Sequence, residues 1–213
     1  MSTTDLGRLR REYEAEGLSE TSMPDEPIEQ FRSWFEAAVA AGIEESNAFV
    51  LATVDEDGSP SARAVLMKEF DNSGIVFYTG LESRKSLAMR SNGKAAATFV
   101  WIPLHRQVRF EGSVSEVAAE RADAYFATRP RGAQIAAHAS LQSTITTRES
   151  LDAQFEELGM EFEDEDVPRP QHWGGWLLRP SSVEFWQGQP NRFHDRVRYR
   201  IEGDHWVKER LAP

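Results

Sequence analysis

Apolar positions in this chain recur at two different spacings, and the switches between them mark out its elements. Residues 27–41 keep helical spacing: Ile28, Phe31, Trp34 or Phe35, and Ala38 share a face, Pro27 opens the run and Gly42 follows it. From Asn47 the period becomes two, predicting a strand over 48–54, a turn at 55–58, and a hairpin with arms 62–70 and 75–79 joined by Asp71-Asn-Ser-Gly74. A helix is expected from 83 to about 91, ended by Asn92-Gly93, and then strands over 94–101 and 106–117, the second with Gly112 as a bulge. Residues 118–140 read as two helical pieces divided by Arg129-Pro-Arg-Gly132, and 149–162 as a further helix. The rest is β again, at 175–179, 182–187, 196–201 and 205–210. Residues 6–16 read as a short charged helix and 17–26 as linker, which makes 1–26 an N-terminal extension of a single domain over 27–213. Strands at regular spacing with helices between them predict a mainly β (α+β) fold, an antiparallel barrel with peripheral helices.

Charge changes the list of partners. The net charge is −11, which argues against nucleic acid, because phosphate backbones are bound through cationic surface. Only four lysines occur, Lys68, Lys85, Lys94 and Lys208, so local clusters of cations stand out. The acidic run Glu163-Asp-Glu-Asp166 reads as solvated surface. No run approaches the roughly 18 apolar residues of a membrane span, and Met1-Ser-Thr-Thr-Asp-Leu lacks the apolar core of a secretory signal; a cytoplasmic protein with no membrane partner is expected. The chain has no Cys, which excludes disulfides, thiolate metal sites and cysteine nucleophiles, and its five histidines form no paired ligand motif, so no metal site is expected. The glycine motifs of dinucleotide and P-loop folds and the G-x-S-x-G elbow are absent.

Two clusters carry candidate chemistry. In Ser83-Arg84-Lys85-Ser86 a serine placed to cap a helix is followed by two cations, where the helix already carries partial positive charge. Either an anion such as phosphate is bound there by amides, hydroxyls and cations, or both residues are solvated. Near the C-terminus, Arg192, His194, Arg196, Arg198 and Arg200 share one parity and Phe193, Val197, Tyr199 and Ile201 the other. The first members of that strip suit an anionic ligand; Arg198 and Arg200 read better as a solvent face paired with Glu, and Asp195 as a group that orients a neighbouring Arg. Tyr125 and Arg129, four apart, are neighbours on one helix face. Trp186 offers an aromatic wall, and Gln107, Gln142 and Ser143 are uncharged donors and acceptors that suit the polar edge of a heterocycle, although such a Trp is as readily core.

The ordered set R-A-V-L-M-K, F-Y-T-G-L-E-S-R-K, R-Q-V-R-F-E-G, Y-F-A-T-R-P-R, L-Q-S, and F-W-Q-G followed by R-F-H-D-R resembles the pyridoxine (pyridoxamine) 5′-phosphate oxidase family, from about Arg10 to Pro213. The resemblance implies an FMN-binding split β-barrel homodimer with FMN at the subunit interface. It also implies oxidation of pyridoxine or pyridoxamine 5′-phosphate to pyridoxal 5′-phosphate, with O2 reduced to H2O2. Carried over by position, Arg63, Lys68, Tyr78, Thr79, Arg84, Lys85, Gln107, Gln142, Ser143, Trp186 and Arg196 would contact FMN. Lys68, Tyr125 and Arg129 would hold the substrate phosphate, Arg192 and His194 would act over the pyridine ring as the catalytic pair, and Arg10 and Tyr13 lie in a segment that closes over substrate in the family. The pattern fails at Ala133, where the family has a phosphate-binding serine, and at Ala136 and His138, where it has Gly and Trp. One difficulty is geometric: Arg63 and Lys68 are five apart, so an unbroken strand would point them to opposite faces, and both reach one site only at a bulge, at a strand end or around the ligand. Another flavin split-barrel oxidoreductase, or a non-catalytic FMN or pyridoxal phosphate carrier, is the alternative.

Overall fold

The computed structural model describes residues 17–213; the expected helix over 6–16, with Arg10 and Tyr13, lies outside the described residues. The elements are α1 (Pro27–Ala40), β1 (Ala48–Val54), β2 (Pro60–Asp71), β3 (Gly74–Gly80), α2 (Arg84–Asn92), β4 (Lys94–Trp101), β5 (Arg106–Glu116), α3 (Ala119–Ala127), α4 (Arg131–Ala139), α5 (Arg148–Glu161), β6 (Trp173–Gln187), β7 (Asp195–Glu202) and β8 (His205–Leu211). The sheet runs β3-β2-β1-β4-β5-β6-β7-β8, and a further pairing of β3 with β6 closes the first six strands into an antiparallel barrel. This is the split β-barrel fold with peripheral helices.

One departure from the expected elements has a physical cause. Strand β6 is continuous where two strands, 175–179 and 182–187, were expected. It pairs with β3 through Leu178 and with β7 from Ser182, so the missing proline N–H falls where the strand changes partners. Gly112 serves close approach, since a Cβ there would lie 2.0 Å from the Arg179 carbonyl oxygen.

The chain divides into two compact units. Of the described residues, the first takes 17–46 with Thr98–Phe110 and Ser181–Pro213. Its core is built on the apolar stripe of α1: Phe31 is fully buried, with Phe99 and Phe110 rings each 5.0 Å away, and Trp34 meets the Phe185 ring edge-on at 5.3 Å. Residues 17–25 are fastened to β7 and β8. The Leu18 N–H donates to Asp195 Oδ2 at 3.0 Å, Arg210 donates to the Leu18 carbonyl and to Glu20, and the buried Tyr199 donates its O–H to the Pro24 carbonyl at 2.8 Å. Asp195 therefore does pair with an arginine, Arg210 on the neighbouring strand.

The second unit takes Asn47–Ala97 and Glu111–Pro180. Phe49 and Phe77 pack edge to face at 5.6 Å inside it, while Phe126, Ile135, Ala137, Val167 and Trp173 form a separate cluster under α3 and α4. In β2 the register with β3 shifts between Met67 and Glu69, so Lys68 is an extra residue with no partner of its own on β3.

Candidate active site

The second unit contains a cavity of about 760 Å³, a size suited to a cofactor or small ligand. Its lining includes Arg63, Lys68, Tyr78, Thr79, Lys85, Tyr125, Arg129 and Gln142, all singled out from the sequence. The bulge resolves the parity difficulty, because the extra residue in β2 is Lys68 itself and both Arg63 and Lys68 reach the same cavity.

The helix-capping pattern at residue 83 works differently from expectation. The Ser83 side chain makes no cap; its buried hydroxyl donates to the Gly80 carbonyl at 2.7 Å and accepts from Lys85 at 3.1 Å. Lys85 turns inward, donating at 2.9 Å to both Thr79 Oγ1 and Gln142 Oε1. Burial, and then the nearby Arg63 guanidinium, pull its amine down to about 8. Arg84 points elsewhere: its guanidinium pairs with Asp55 at 2.6 Å, and its backbone N–H donates to Ser143 Oγ at 3.3 Å. Arg84 and Ser143 line a second, smaller cavity, and Gln142 lines both.

Arg129 gives the plainest sign of a ligand. Its guanidinium lies 4.6 Å over the Trp173 ring, and its Nη1 is shut off from solvent with no hydrogen-bond partner among the described residues. A buried donor left unpaired costs roughly 1–3 kcal/mol, which an anion in the cavity would recover. The residues therefore fit a phosphorylated ligand: cations, a hydroxyl and an amide on one side of the ledger of donors, and the faces of Tyr78, Tyr125 and Trp173 for planar groups.

Gln107, Trp186, Arg192, His194 and Arg196 belong to the first unit. Asn191 and Arg192 both take left-handed backbone, at φ 55° and 61°, a strained conformation for two successive non-glycine residues. His194 lies 4.7 Å from the Trp186 ring, and its Nδ1 accepts the Gln189 N–H at 3.1 Å. In the neutral ring the proton is therefore on Nε2. Burial, and secondarily the Arg192 charge, lower the His194 pKa, so the neutral form prevails at pH 7. Arg196 is held by the buried Glu184 at 2.8 Å, while Arg198 and Arg200 pair with Glu209, as a solvent-facing reading predicts. Thr128, His172 and Trp173 also line the cavity without having been singled out. His172 donates from Nε2 to the Ala137 carbonyl at 2.9 Å, a contact between distant segments that no local pattern signals.

A closed antiparallel split barrel with a cationic, aromatic-walled cavity defines a class of small-ligand-binding proteins. The profile of the family described as Pyridoxamine 5'-phosphate oxidase matches residues 35–164, and that of the Pyridoxine 5'-phosphate oxidase C-terminal dimerisation region matches residues 173–213. The chain belongs to the pyridoxamine 5′-phosphate oxidase family and is an oxidoreductase. Curated relatives named pyridoxine/pyridoxamine 5′-phosphate oxidase include one from Salinibacter ruber, 52% identical over 98% of this chain and 99% of its own. Another, from Cyanothece sp., is 48% identical over 99% of this chain and 100% of its own. Among solved structures, PhzG from Burkholderia lata 383 in complex with tetrahydrophenazine-1-carboxylic acid superposes with a TM-score of 0.86 at 30% identity, covering 91% of this chain and 95% of that one. A pyridoxamine 5′-phosphate oxidase-related, FMN-binding protein from Nostoc punctiforme shares the fold, with a TM-score of 0.70 at 17% identity and coverage of 86% and 97%.

Proposed function

We propose that this protein oxidises pyridoxine 5′-phosphate or pyridoxamine 5′-phosphate to pyridoxal 5′-phosphate in the cytoplasm, using FMN and O2. The alcohol gives pyridoxal 5′-phosphate and H2O2 from one O2; the amine additionally takes up water and releases ammonia. A bound flavin supplies the two-electron redox chemistry. The protein supplies position. Arg63, Lys68, Tyr78, Thr79, Arg84, Lys85, Gln107, Gln142, Ser143, Trp186 and Arg196 are the proposed FMN contacts, in a homodimer with its flavin sites at the subunit interface.

The observation that carries the substrate half of this reading is the buried Nη1 of Arg129, without a partner among the described residues, in a cavity shared with Tyr125 and Lys68, a set of donors suited to the substrate phosphate. Anchoring that phosphate would hold the reacting carbon in place. Arg192 and His194 are the proposed catalytic pair. With Nδ1 accepting the Gln189 N–H, the neutral His194 ring carries its proton on Nε2, and the proposal places His194 and Arg192 over the pyridine ring. Arg10 and Tyr13 are proposed to close over the substrate.

The test is an absorption spectrum of the purified protein followed by O2 uptake with each phosphorylated vitamer and with pyridoxine lacking the phosphate. A yellow protein that produces H2O2 from the phosphorylated compounds, and far more slowly from pyridoxine, is the expected result. Equal rates with and without the phosphate would remove Arg129 and Tyr125 from substrate binding, and a yellow protein with no turnover would be a carrier.

A further inference from the structure

The cavity has a braced wall. Tyr78 lies nearly parallel to Tyr125, with ring centres 4.1 Å apart at 14°, and to Trp173 at 5.5 Å and 8°. Gly175 leaves room for it, since a Cβ there would stand 2.6 Å from the Tyr78 ring. The Tyr78 hydroxyl donates to Glu69 Oε1 at 2.7 Å, and the other oxygen of that carboxylate receives Arg121 Nη2 at 2.7 Å and Nε at 3.1 Å. Glu69 itself does not line the cavity. It stands just past the extra residue of β2, opposite Val76, so the bulge that brings Lys68 to the cavity also sets Glu69 beneath the phenol.

The charge arrangement needs a reason. A carboxylate beside an anion site repels the ligand unless it is neutralised, and the Arg121 fork does that here. Burial raises the Glu69 pKa, but the Arg121 and Tyr78 hydrogen bonds outweigh it, so the group stays ionised at neutral pH and remains an acceptor for the phenol. A neutral acceptor would have cost less electrostatically; an ionised one fixes the phenol more firmly.

We infer that Glu69, braced by Arg121, is a positioning residue that acts through the Tyr78 hydroxyl to fix the plane against which Tyr125 stacks, and so places Tyr125 and Arg129 for the substrate phosphate. This rests on the reading of Tyr125 and Arg129 as the phosphate contacts. The comparison uses flavin-loaded wild type, Glu69→Ala, Glu69→Gln, Tyr78→Phe and the double variant Glu69→Ala/Tyr78→Phe. The measurements are flavin content, kcat and KM with pyridoxine 5′-phosphate, and the Kd of pyridoxal 5′-phosphate from fluorescence quenching.

Glu69→Ala should raise KM and Kd about tenfold, with kcat within about twofold and flavin content unchanged, and Tyr78→Phe should raise KM and Kd by a similar factor. Glu69→Gln keeps an oxygen for the phenol and should stay within about threefold of wild type. The double variant should be no worse than the poorer single, because the two residues act in series. Unchanged Kd in Glu69→Ala, equal losses in the Gln and Ala variants, or losses that multiply in the double variant would each overturn the inference. If Glu69→Ala does not fold, Tyr78→Phe, which keeps the ring, decides alone through the same constants. A wild type that binds pyridoxal 5′-phosphate yet consumes no O2 defeats the oxidase reading only, and the Kd series still decides this one.

Discussion

At the residue scale, Lys85 is a cation placed where it costs the empty protein something. Its amine is depressed to about 8 from the usual 10.5, so between those values the unfolded chain binds more protons than the folded one. Ligand-free protein should therefore gain stability as pH rises from 8 to 10.5, which thermal melts across that range would detect. An anionic cofactor reverses the preference by stabilising the ammonium. FMN affinity should fall above pH 8, by at most about tenfold per pH unit for one proton, in a titration of flavin fluorescence. A flat profile would separate Lys85 from the anion. Ala133 offers the opposite experiment. It sits in the first turn of α4, on the helix face shared with the cavity residues Ala136 and Ala137, so Ala133→Ser should lower KM for pyridoxine 5′-phosphate about three- to tenfold through one added hydroxyl donor. His138, the other departure from the family pattern, is turned to the Pro168 carbonyl at 2.6 Å.

At the scale of elements, the periodicity of apolar residues was enough to place β1 and β4, the two halves of the α3–α4 region, and the stripe of α1, because each reflects burial of one face of its element. Three features could not be read that way. Local sequence gave no sign that Lys68 is an extra residue, that β6 continues through Pro180, or that Lys85 folds inward while Arg84 turns to Asp55. Each is decided by a partner distant in the chain: the β3 register, the exchange of β3 for β7, and Gln142. Of the site, the cations and the aromatic pair were legible through ordered motifs, whereas Glu69, Arg121 and His172 matter only through contacts across long separations. Gly112 tests the packing of the strands directly. Gly112→Ala would drive a methyl into the Arg179 carbonyl, and should destabilise the protein by roughly 2–4 kcal/mol in urea unfolding, with little change in m.

For the whole molecule, the strong net negative charge and the cationic cavity are complementary facts. A surface carrying −11 overall keeps phosphorylated ligands away from everywhere except the places where basic side chains gather. Association into a homodimer predicts a particle of twice 24.1 kDa by sedimentation, with flavin lost when the dimer is diluted apart. A flavin-loaded particle of the single-chain mass would remove the proposed interface sites.

The seam that ties residues 17–25 to β7 and β8 has a practical corollary. Because Asp195, the immediate neighbour of His194, engages the Leu18 amide with one oxygen, and Tyr199 donates its hydroxyl to Pro24, a chain shortened to start at Gly17 retains these attachments, while one shortened to Pro27 leaves the buried Tyr199 phenol without its acceptor and Asp195 with Arg210 alone. Comparing the two truncations would therefore separate what Arg10 and Tyr13 contribute to turnover from what the seam contributes to holding His194 in place.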